Sequence, residues 1–134
     1  MHEVEIWFDV DVRTDEGQEP ACTLFGTIVL PMRPLVAEHI SFYPEKNTSF
    51  AFRQWLPERG IVLAHSVAVE VDYISHYGVG AGDGTPAFRT QVRCVGIQVP
   101  TLDDAKSIRS LMQSQFGMDL DPYATNKLDV PGVR

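Results

Sequence analysis

Glu70, Asp72 and His76 fall at strand spacing along residues 62–76, and Arg89 and Arg93 do so along residues 88–99. Side chains two apart in a strand share a face. Glu70, Asp72, Ile74 and His76 therefore lie opposite the face of Val67, Val69, Val71 and Tyr73, and Arg89, Gln91 and Arg93 lie opposite Phe88, Thr90, Val92 and Cys94. Antiparallel pairing of polar face on polar face sets Asp72 beside Arg93 and His76 beside Arg89. A shift of two residues brings Glu70 to Arg93 instead. Such a patch can hold an anion between guanidiniums or move a proton between a carboxylate and an imidazole. The simpler reading, which the sequence favours, is cross-strand ion pairs on a solvated face, each contributing about 0.2–1 kcal/mol. A metal centre fits poorly, because the flanking arginines oppose a cation.

Gly78-Val-Gly80-Ala-Gly82-Asp-Gly84 runs beside this patch. Gly80 and Gly82 would let backbone N–H groups approach an anion. A dinucleotide or P-loop turn must open onto a helix, whose N-terminus supplies the field. Here Thr85 and Pro86 lead into another strand and no Lys-Ser/Thr follows. A hairpin tip that orders against a partner is the expectation.

Nucleophiles are scarce. His65 falls on the apolar parity of its strand and reads as a hydrogen-bonded core histidine, and Ser66 has no G-x-S-x-G setting. His2, His39, His65 and His76 share no ligand spacing. Cys22 and Cys94 lack C-x-x-C spacing and read as buried structural thiols of a cytoplasmic protein. No recognised catalytic set emerges, and no cofactor is called for.

The elements that must position these groups are mostly strands. Val4, Ile6, Phe8, Val10 and Val12 alternate with Glu3, Glu5, Trp7, Asp9, Asp11 and Arg13, a half-buried strand with one acidic face. Residues 14–20 are turn chemistry, and Ala21 to Leu30 is the return strand. Matching apolar faces sets Arg13 opposite Ala21, Val12 by Cys22 and Phe8 across Gly26, where a ring can cover a bare glycine. Further strands are expected at 38–43, at 50–56 (in preference to a short helix capped by Ser49), at 62–76 and at 88–99. Thr101 and Asp104 form the carboxylate variant of a capping box; Leu102, Ala105, Ile108, Met112 and Phe116 form an apolar stripe that Gly117 terminates. The fold class is α+β: an antiparallel, strongly twisted sheet of five or six strands, open or partly closed, with one C-terminal helix packed on it. Residues 1–118 form the domain and 119–134 an irregular C-terminal tail.

Two features concern partners. Val95, Ile97 and Val99 continue the face of Arg89 and Arg93, so that end of the sheet needs cover on both sides. Trp7 and Phe25, on the acidic face of the first hairpin, are large for solvent. Together these predict a homodimer or a protein partner. Eleven Lys and Arg against eighteen Asp and Glu give a formal charge of −7, without a basic cluster, which argues against nucleic acid and anionic membranes. No apolar run is long enough to span a bilayer. The sequence thus points first to a non-catalytic protein-interaction or assembly module. A small-molecule or anion-binding domain, conceivably an enzyme, on the 62–99 hairpin is one alternative. A structural component docking through residues 119–134 is the other.

Overall fold

The structure, a computed structural model, describes residues 1–129. Strand β1 (His2–Thr14) turns at Asp15–Glu16 into β2 (Gly17–Leu30). Then follow β3 (His39–Phe42), β4 (Phe52–Leu56), β5 (Gly60–Ala64), β6 (Val67–Val79), β7 (Ala87–Cys94) and β8 (Ile97–Val99). Helix α1 (Leu102–Phe116) and the short β9 (Asp119–Leu120) complete the described chain. The architecture is α+β, mostly strands with one helix. The main sheet is curled and seven-stranded, in the order β3-β6-β7-β1-β2-β9, with β8 also paired to β1. β4 and β5 form a separate two-stranded sheet.

The sheet is mixed, not purely antiparallel, and it has more strands than the sequence suggests. β1 runs parallel to β7 (Glu5 with Gln91, Trp7 with Arg93) and to β8 (Val10 with Ile97, Val12 with Val99). Parallel neighbours need a crossover connection. Here residues 31–86 supply it with hairpins in place of a helix, so no strand–helix–strand rhythm marks it. The first strand thus becomes the centre of the sheet.

Parity survives where register does not. β1 and β2 pair two residues away from the expected register, with Val10 opposite Cys22, Phe8 opposite Leu24 and Ile6 opposite Gly26, and a bulge follows between Val10 and Asp11. A two-residue slip leaves every side chain on its face. Gly26 is bare for another reason than cover by Phe8: a Cβ there would stand 2.9 Å from the Met118 Cγ and 3.3 Å from its Cα. The chain after the helix packs directly on that backbone.

The inner face of the sheet carries the core. Val4, Ile6, Phe8, Val10, Leu24, Val67, Val69, Val71 and Val92 are buried in one cluster with Ala105, Ile108, Leu111 and Met112 of α1, which packs chiefly on β1, β2, β4 and β8. Truncating a residue such as Ile108 to alanine costs about 2–5 kcal/mol. The helix begins where the sequence places it. The Thr101 hydroxyl accepts from the Asp104 N–H, and Gly117 closes the far end in the left-handed region at φ 63°. Asp104 is buried, and its carboxylate accepts from the backbone N–H of Arg53 (2.7 Å) and from the Thr101 hydroxyl (2.6 Å), joining β4 to the helix start.

Of the segment expected as an irregular tail, residues 130–134 lie outside the described residues. The rest is packed on the domain. β9 pairs with β2, the Lys127 N–H donates to the Ala21 carbonyl (2.8 Å), and Leu128 is buried. Among the described residues no helix is long and apolar enough to cross a membrane.

Candidate functional site

The predicted polar patch on the long hairpin is not assembled. β6 and β7 pair with Tyr73 opposite Arg93, His76 opposite Thr90 and Tyr77 opposite Arg89, and a bulge at Asp72 separates this stretch from Val71 opposite Cys94. One extra residue reverses all side chains beyond it. Arg89 and Arg93 consequently share the outer face with Tyr73, Ser75 and Tyr77, whereas His76 turns to the inner face, its Nδ1 2.9 Å from the Thr90 hydroxyl. Glu70 stands apart from both arginines and meets His39 of β3 at 3.8 Å. Asp72 sits exposed in the bulge, and Gly80 and Gly82 occupy the exposed hairpin tip.

A second irregularity corrects the interface set. The expected strand 88–99 breaks at Val95–Gly96, where β7 passes to β8. The break restores Ile97 and Val99 to the inner face, and Ile97 is 3% exposed, a core residue with no surface to offer. Val95 stays outside at 46% exposure. Gly96 permits the step, since a Cβ there would lie 3.0 Å from an Asp11 carboxylate oxygen. Likewise the expected strand 62–76 breaks at His65–Ser66 between β5 and β6. His65 is exposed and hydrogen-bonded to the Phe50 carbonyl (3.2 Å), not a core residue.

The outer face of β1 organises what remains. Because β1 lies between β2 and β7, register places Tyr73, Arg93, Trp7, Phe25 and Asp119 in one transverse row across β6, β7, β1, β2 and β9. Trp7 and Phe25 stack, ring centroids 4.5 Å apart and planes at 14°. The Trp7 indole N–H donates to Glu5 (2.6 Å), and the Tyr77 hydroxyl donates to the other Glu5 oxygen (3.2 Å). One row away, Arg93 donates to Asp9 Oδ2 (2.9 Å) and Thr23 donates to Asp9 Oδ1 (2.5 Å). Both oxygens of both carboxylates are engaged, so the face is preorganised and neither carboxylate stands ready as a free base.

Electrostatics follow the packing. Partial burial, reinforced by Asp9 and opposed by Arg93, holds the Asp11 carboxyl above its ordinary range. Desolvation and the Glu5 carboxylate push the Tyr77 phenol up. Burial raises both thiols, Cys22 and Cys94, to about 12, far from a reactive thiolate at neutral pH. Sequence reading found Trp7, Phe25, Arg89 and Arg93 but missed Glu5, Asp9, Thr23, Tyr73 and Tyr77. The acidic alternation of β1 was visible; its parallel neighbour was not. Comparison of the chain with protein-family models, with curated proteins and with solved structures gives no match.

Proposed function

We propose that the protein is a non-catalytic interaction module whose outer sheet face receives a basic protein segment. The observation that carries this reading is the Trp7–Phe25 stack, held by Glu5 in the middle of a face where both rings are only half-buried. Flat, rigid aromatic surface loses little entropy on docking and forms the centre of many interfaces. Around it the carboxylates of Glu3, Glu5, Asp9, Asp11 and Asp119 outnumber the guanidiniums of Arg13, Arg89 and Arg93. That excess, on a chain of charge −7, suits a lysine- or arginine-bearing partner and repels a second copy at this face.

A peptide of alternating lysine and leucine serves as the probe. Titrating it should shift the Trp7 indole and Thr23 amide resonances, with an affinity that falls in salt and is lost in Trp7→Ala. Shifts confined to the hairpin tip or to the inner face would overturn the assignment.

The inner face favours a second reading. His76, displaced from the arginines, lines a cavity of about 380 Å³ with His2, Arg33 and Thr90. Two imidazoles, a guanidinium and a hydroxyl suit a small anion. Inorganic phosphate that shifts the His2 and His76 ring resonances while leaving Trp7 unmoved would make this the principal site.

A further inference from the structure

β6 is bonded on both sides only where its two ladders meet. From Val67 to Glu70 it pairs with β3, the Glu70 carbonyl accepts from the Val95 N–H on the other side (2.8 Å), and Val71, opposite Cys94 of β7, exchanges backbone bonds with Ala37 and Glu38 (2.8 Å each). Beyond the bulge, Tyr73 to Val79 pair with β7 alone. Among the described residues no backbone hydrogen bond is made along the opposite edge of this stretch, and Arg33 and Pro34 approach it only across the cavity that Ile74 and His76 line. The remaining edges of the main sheet are short: β3 has four residues, β9 has two, and the stretch of β2 after Gly26 ends at Pro31.

An open edge presents backbone donors and acceptors in a row, and the occupant that satisfies them is another strand. Proteins commonly blunt such an edge with lysine, proline or an inward charge. Tyr73-Ile-Ser-His-Tyr-Gly-Val79 has none of these, although 22% of the chain is charged. An uncharged edge suits antiparallel pairing with its own copy, because a charge near the two-fold axis would stand close to the same charge of the partner. The ends match as well. The turn beside Val71 exposes Leu35 (62%) and Val36 (60%), and the far end exposes Val79 (40%). A two-fold centred on His76 carries the far end of one copy to the near end of the other, so apolar surface meets apolar surface.

We infer that the protein forms a two-fold dimer by pairing the Tyr73–Val79 edge of β6 with the same edge of a second copy. The pairing continues the sheet and leaves the Trp7–Phe25 face free, so it stands independently of the docking function proposed above. The interface is modest, and the dimer forms by mass action.

Gel filtration with light scattering, run on the full chain at rising concentration, tests this. The expected result is a mass moving from one chain to two. Tyr73→Lys and His76→Lys, both at exposed positions, each return it to one chain with an unchanged melting temperature, while Trp7→Ala leaves the dimer intact. Amide exchange at residues 73–79 slows as the dimer fills. A single-chain mass throughout, a dimer that survives both lysines, or one abolished by Trp7→Ala would each overturn the inference.

Discussion

Arg93 reaches across from β7 to Asp9 on the parallel strand β1, its Nη2 2.9 Å from Oδ2, and Thr23 of β2 holds the other oxygen. Three strands are thereby tied on the face that carries Trp7. Because both partners are about 30% exposed (27% and 33%), the pair is screened by water and its worth is modest.

A double-mutant cycle with Asp9→Asn and Arg93→Met should give a coupling of about 0.5–1 kcal/mol at low salt. The coupling should shrink as salt is added. A value indistinguishable from zero at low salt would mean that the two side chains only pack.

Asp11 governs a pH effect of defined sign. Its carboxyl is held above the ordinary range chiefly by burial, so the folded protein holds the proton more tightly than the unfolded chain does. Stability is consequently lost as the pH rises from the ordinary carboxylate value through the raised one, and the cost is fully present at neutral pH. Asp11→Asn should melt higher than wild type at pH 7, and the difference should vanish on acidification below the ordinary carboxylate range. A lower melting temperature at neutral pH would show that the charge is needed.

Asp104 combines a helix cap with a bond to the neighbouring sheet. Asp104→Ala removes the acceptor of both the Thr101 hydroxyl and the Arg53 N–H. Urea denaturation should show a loss of about 2–4 kcal/mol, from the cap and from a polar group left unsatisfied. A loss under about 0.5 kcal/mol would mean that water replaces the carboxylate without penalty.

Cys22 and Cys94 should resist Ellman's reagent at pH 8 in the native protein and react fully in denaturant, since burial lifts both thiols to about 12. Rapid native labelling of either would reveal an opening of the sheet at Val10 or at Val71, their pairing partners.

What could be read from residue types was local. The apolar and acidic faces of β1, a strand within 50–56 and the helix with its Thr101 and Gly117 ends follow from alternation, turn chemistry and capping. Four backbone irregularities escaped it: the bulge after Val10, the break at His65–Ser66, the bulge at Asp72 and the step at Val95–Gly96. Each breaks a count of two, so a strand read as continuous assigns the wrong face to everything past the break. His65, His76 and Ile97 were misplaced for that reason alone. The row from Tyr73 to Asp119 was illegible for a different one, as it depends on β1 meeting β7 in parallel after a crossover that no helix announces.

The central position of β1 has a consequence for how the protein is made. The strand is made before all of its partners and meets β2 directly, but its other edge stays bare until β7 and β8 have been synthesised. The nascent chain must carry that half-finished sheet, with Ile6, Phe8 and Val10 still uncovered by the helix, until Leu102–Phe116 has been made. Closure is then a late, long-range event, slow by topology and vulnerable to aggregation when translation stalls before residue 97.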